Sequence, residues 1–110
     1  MASFLVQASY TSEALASLIK NPENRTEVVK KVAKKLGGKL NASWLSFGEY
    51  DLVMVLEMPD NISIASFAIA AAAGGSLKSV KTTPLMSLAD AMVALKKAAT
   101  SGYTPIVTAK

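Results

Sequence analysis

Four side chains combine useful chemistry with positions that could bring them together: Tyr10, Trp44, Tyr50 and Asp51. Tyr50 and Asp51 are adjacent, and a phenol beside a carboxylate can orient a substrate carbonyl or shift a proton. The same pair also suits turn chemistry, with Asp51 accepting from backbone N–H groups and Tyr50 packing over a strand end. Trp44, the single tryptophan, serves either as core or as a stacking wall for a planar ligand. Tyr10 falls at the end of the first predicted strand, near the same region.

The rest of the inventory excludes more than it offers. There is no histidine and no cysteine among the 110 residues. Triads with a histidine base, thiolate nucleophiles, disulfides and zinc–thiolate or iron–sulfur sites are therefore ruled out. Glu49, Asp51, Glu57 and Asp60 hold half of the acids. A hard cation needs several converging oxygens. Glu49 and Asp51 flank a turn, and Asp60 lies at the far end of the following strand, so neither a metal site nor a glycosidase carboxylate pair is expected. Gly74-Gly75-Ser76 lacks a phosphate-loop lysine and precedes a strand, so it reads as a helix stop. No cofactor is expected.

Lys plus Arg is 12 against 8 acids, a net charge of +4, and Arg25 is the single arginine. Readers of nucleic acid rely on bidentate arginine contacts. Lys30, Lys31, Lys34 and Lys35 recur at helical spacing opposite Val28, Val29, Val32, Ala33 and Leu36, which is the solvated face of an amphipathic helix. Neither nucleic acid nor a membrane surface is the expected partner. The amino-terminal segment lacks a basic leader, and the apolar run Ala65 to Ala73 is too short to span a bilayer, so a cytoplasmic location is expected.

The elements that must position these groups follow from period and punctuation. Alternation predicts a strand from Ala2 to Tyr10, with Phe4, Val6, Ala8 and Tyr10 on one face. Thr11 or Ser12 caps a helix through Ile19, interrupted at Asn21-Pro22. A second helical segment runs from about Glu23 to Leu36, with Pro22 leading into its first turn, and Gly37-Gly38 ends it. Lys39 to Phe47 is predicted as a strand with Leu40, Ala42, Trp44 and Ser46 on one face. A tight connection leads to an antiparallel strand from Asp51 to Met58. Asp60 or Asn61 caps a helix over 62–73. Ser76 to about Thr83 forms a fourth strand, broken by Pro84, and Ser87 to Thr100 a last helix. Gly102 to Lys110 is read as an extended tail.

This order predicts an α+β, ferredoxin-like βαββαβ antiparallel sheet with helices on one face, plus a C-terminal helix, in a single domain over 1–110. Such a sheet leaves one face open, and a half-buried strand should then alternate. The third strand does not: Leu52, Met54, Leu56 and Met58 point one way, Val53 and Val55 the other. The same face of a second copy would cover it, so a homodimer or higher even oligomer is expected. Cover by the C-terminal tail is the competing expectation.

Gly48-Glu49-Tyr50-Asp51 resembles the signature of the GYD-domain family of small proteins. Tyr10-Thr11, Gly37-Gly38-Lys39-Leu40, Pro59-Asp60 and Gly74-Gly75 agree with it in order and spacing. The resemblance covers roughly 3–83, and the last helix and tail carry no matching motif. It implies the dimeric α/β-barrel superfamily, which holds monooxygenases, isomerases and ligand-binding proteins, so fold does not decide function.

Three functions remain in view. One is a homo-oligomeric protein that binds a small organic ligand in a barrel pocket lined by Tyr10, Trp44, Tyr50 and Asp51. Another is a cofactor-independent monooxygenase or isomerase using Tyr50 and Asp51 with Trp44, against which the missing histidine counts. The third is an assembly module without chemistry. Whether the chain is an enzyme stays open.

Overall fold

The computed structural model describes residues 1–107. Its elements are β1 (Ala2–Tyr10), α1 (Ser12–Lys20), α2 (Thr26–Lys35), β2 (Lys39–Leu45), β3 (Leu52–Met58), α3 (Asn61–Ala73), β4 (Leu77–Leu85) and α4 (Leu88–Ala99). The four strands form one antiparallel sheet in the order β2-β3-β1-β4. This is the α+β, ferredoxin-like arrangement expected from the element order, with β1 and β3 central.

The core lies between one sheet face and the helices. Phe4 and Val6 of β1 meet Met54, Leu56 and Met58 of β3, closed over by Ala33 of α2 and Ile64 and Phe67 of α3. Helix starts follow side-chain capping, which satisfies otherwise orphaned N–H groups. Thr11 Oγ1 accepts from the Ala14 N–H at 3.1 Å, Asp60 Oδ1 from Ser63 at 2.8 Å, and Ser87 Oγ from Asp90 at 3.0 Å. Gly38 sets the approach of β2 to β3. A Cβ there would collide with the Glu57 carbonyl oxygen and come within 2.6 Å of the Met58 sulfur.

Three local expectations change. Pro22 does not open α2: it stays in the loop, and α2 begins at Thr26, whose N–H donates to Asn24 Oδ1 at 3.0 Å. Pro84 does not end β4, which continues to Leu85. An edge strand has one hydrogen-bonded neighbour and so tolerates a missing N–H. The faces of β2 are also reassigned. Leu40 pairs with Leu56 but Ala42 pairs with Val55, so Asn41 is an extra, bulged residue. The bulge keeps Leu40 against the core. It turns Ala42 and Trp44, opposite Val55 and Val53, onto the face away from the helices.

That face carries Leu5, Val53 and Val55 at its centre, and among the described residues no helix covers it. The described part of the tail does not cover it either, because Tyr103, Ile106 and Val107 are exposed. The tail expectation over 108–110 lies outside the described residues. Helix α4 buries no residue, and Leu88 is 85% exposed. The chain exposes 8158 Å², against ~5,800 Å² for a compact monomer of its mass. Its radius of gyration is 18.0 Å, against about 13 Å for a compact domain of this length.

Candidate functional site

A cleft of about 440 Å³ separates the sheet from helices α1, α2 and α3. Its cause is side-chain size. Ala8 on β1, Ala14 on α1, and Ala70 and Ala71 on α3 all face it. Helix α1 buries none of its residues, and only Leu18 among its large side chains reaches the space beneath it. Val6, Leu52, Met54 and Val80 form the floor, and Val28, Val29, Val32 and Phe67 line the helix side. An adjoining recess of about 380 Å³ opens toward the β2 edge and shares Tyr10, Leu18, Glu23, Arg25, Val29, Leu52 and Met54 with the cleft.

The polar groups gather where the two spaces join. Tyr10 ends β1 there, half-buried. The loop between α1 and α2 brings Glu23 and Arg25 over it, with Arg25 Nη1 donating to Glu23 Oε1 at 2.7 Å. Burial raises the Tyr10 hydroxyl above its ordinary pKa. The nearby Arg25 guanidinium opposes that rise, while the Asp51 and Glu23 carboxylates add to it. The phenol therefore stays protonated and able to donate at all physiological pH. Trp44 touches the recess only from the end of β2, since its pairing with Val53 sets it on the open sheet face, and it is 58% exposed.

Asp51 and Tyr50 sit differently. Asp51 Oδ2 accepts from the Tyr10 N–H at 2.9 Å, and the Asp51 N–H donates to the Ala8 carbonyl at 2.9 Å. The Asp51 carbonyl accepts from Ser46 at 2.7 Å, and Ser9 Oγ donates to the Glu49 carbonyl at 2.7 Å. This hairpin is thus laced to the end of β1 by groups that compensate its buried backbone. Of the four residues singled out in the sequence, Tyr10 borders both spaces and Trp44 only the recess, whereas Tyr50 and Asp51 border neither.

The other acids are occupied locally. Glu57 accepts from Asn41 Nδ2 at 2.9 Å and lies 3.6 Å from Lys39 Nζ; the Asn41 hydrogen bond first, then Lys39, holds its carboxyl below the usual range. Asp60 is lowered by its bonds to Ser63 at the start of α3. Glu23 and Arg25 are the site residues that sequence pattern does not reveal. The available signal was composition, one arginine among eleven lysines, since arginine suits planar recognition of anions.

The arrangement offers an apolar chamber with a hydroxyl donor and an ion pair at its mouth. Among the described residues no helix is long and apolar enough to cross a membrane.

Comparison with known proteins agrees with this architecture. A hypothetical protein from Pyrococcus horikoshii superposes with a TM-score of 0.50 at 11% identity, covering 79% of this chain and 92% of that one. A Thermus thermophilus protein of solved structure gives 0.51 at 12% identity, covering 79% and 95%. These likenesses concern the fold. In sequence, the chain is 31% identical over 96 residues to the "glutamine synthetase and cystathionine beta-lyase binding protein" of Thermus thermophilus, covering 87% of this chain and all of the relative. The GYD domain matches residues 4–95, and the chain belongs to the GYD-domain family.

Proposed function

We propose that the protein is a small homo-oligomeric binding protein that takes an organic ligand between its sheet and helices. The observation that carries this reading is the cleft of about 440 Å³, apolar along its length and polar at its mouth. Its size falls in the range of about 300–1,000 Å³ typical of small-molecule sites. The non-catalytic reading is favoured over a monooxygenase or isomerase by Asp51. Its carboxylate is engaged with the Tyr10 backbone and stands outside the cleft, so it does not serve as a base for a molecule held there.

Self-association is part of the proposal. The open sheet face, with Leu5, Val53 and Val55 partly exposed and Trp44 exposed, and α4, where Leu88, Met92 and Leu95 are exposed, support it, because such apolar surface is costly to leave in water. Two such faces packed together would form the dimeric α/β barrel. A native mass spectrum followed by a denaturing one tests both parts. An even oligomer that loses a small mass on denaturation is the expected result. A monomer would overturn the self-association.

A second reading is that the protein docks on enzymes. It is favoured by the Thermus thermophilus relative, whose name records binding to glutamine synthetase and cystathionine beta-lyase. Co-elution with the glutamine synthetase of the same organism would support it, and separate elution at micromolar concentration would count against it.

A further inference from the structure

We propose that the cleft is built for an amphipathic organic acid, whose carboxylate takes the place of Glu23 on Arg25 while its apolar body lies along Val6, Ala8 and Met54. This rests on the reading of the cleft as a ligand site and adds the chemical class of the ligand.

The walls dictate the body of the ligand. Between the sheet and the helices the lining is valine, alanine, leucine, methionine and phenylalanine, interrupted by the hydroxyls of Ser17 and Ser76. A ligand charged along its length would lose hydration there without replacement. Charge is available only at the junction of the two spaces, where Arg25 and Glu23 stand beside Tyr10.

The existing ion pair is easily exchanged. Glu23 and Arg25 are two residues apart in one loop, about half exposed, and joined through a single nitrogen. Exposed pairs of this kind contribute little to stability. A guanidinium presents five donors in a fixed fork, and an entering carboxylate can engage two of them in parallel. Glu23 would then turn to water at little cost. The Tyr10 hydroxyl, which lines the same junction, is a further donor available to a carboxylate oxygen. Asp51 also faces Tyr10, but its oxygen is already bonded to the backbone N–H. The net charge of +4 favours the approach of an anion over that of a cation.

The test compares three probes with one apolar body: 2-naphthoate, 2-naphthalenemethanol and 2-naphthylmethylamine, titrated by calorimetry into the full chain. The acid is expected to bind about tenfold tighter than the alcohol, the difference that one charge-assisted contact at a half-exposed site supplies. Arg25→Gln should bring the acid down to the affinity of the alcohol. Glu23→Gln, which frees Arg25, should tighten acid binding severalfold. Both changes lie on an exposed loop, and circular dichroism checks that each variant folds. Equal binding of acid and alcohol, tighter binding of the amine, or an acid preference that survives Arg25→Gln would overturn the inference and leave the cleft standing as a site. Binding of none of the three would overturn the cleft reading itself.

Discussion

Asp51 and Tyr10 lie 41 residues apart in the chain, yet an Asp51 carboxylate oxygen accepts from the Tyr10 backbone N–H at 2.9 Å. That bond joins the β2–β3 connection to the last residue of β1. It also orients Tyr10, whose side chain reaches the mouth of the cleft. The Asp of the Gly48-Glu49-Tyr50-Asp51 motif therefore acts through position: it holds the strand end that carries the hydroxyl.

Removing that carboxylate should cost stability. Asp51→Ala is expected to destabilise the fold by about 1–2 kcal/mol, since a part-buried N–H loses its acceptor. Asp51→Asn retains an acceptor oxygen and should lose less than half as much. Urea denaturation of the two variants measures the difference. Equal losses would mean that the charge, not the acceptor, matters there.

Gly38 is expected to be intolerant of any side chain. Its missing Cβ leaves room for the Glu57 carbonyl and the Met58 sulfur. Gly38→Ala should destabilise by about 2 kcal/mol or more, because the obstruction includes backbone that cannot rotate away. Denaturant midpoints compared with the parent chain give the number.

Tyr10 should ionise late. Burial disfavours the phenolate, so ionisation moves above the ordinary value of 10.0. Absorbance at alkaline pH should show one late phenol, absent in Tyr10→Phe. The sign for stability follows. Below pH 10 both folded and unfolded forms hold the proton. As pH rises past 10 the unfolded chain ionises first, and stability falls until the folded pKa is passed.

The α3 cap should be sensitive to acid. Asp60 accepts from Ser63 at 2.8 Å, and its lowered pKa means that folding favours the carboxylate. Its contribution is present above the ordinary carboxylate pKa and is lost as pH falls through the folded value. Asp60→Ala should lower Tm by roughly 5 °C at neutral pH, as loss of a helix cap does in a domain of this size. The two proteins should converge in acid, which thermal melts across pH would follow.

The open sheet face can be challenged directly. Val55 lies at its centre, paired with Leu5 and Ala42. Val55→Lys should abolish the proposed self-association and leave single chains, with the circular dichroism spectrum unchanged. An oligomer that persists would place the contact elsewhere, with the uncovered α4 as the next surface to alter.

The order of elements was legible in the sequence because it depends on local chemistry. Alternation marks β1, the caps at Thr11, Asp60 and Ser87 mark helix starts, and Gly37-Gly38 and Gly74-Gly75 mark their ends. The lack of alternation in β3 was equally plain, since Val53 and Val55 break the pattern within seven residues. Three features were decided only in the folded chain. The bulge at Asn41 turned Trp44 away from the helix side, and no local signal distinguishes a bulged asparagine from a paired one. The loop carrying Glu23 and Arg25 came to rest above Tyr10, a contact between residues with no periodic relation. The cleft arose because small side chains on β1, α1 and α3 converge, and a void is a property of several surfaces at once. Helix and strand signals act over a few residues and can be read in line. A cavity, a face and an ion pair over a strand end depend on distances that exist only after the chain has packed.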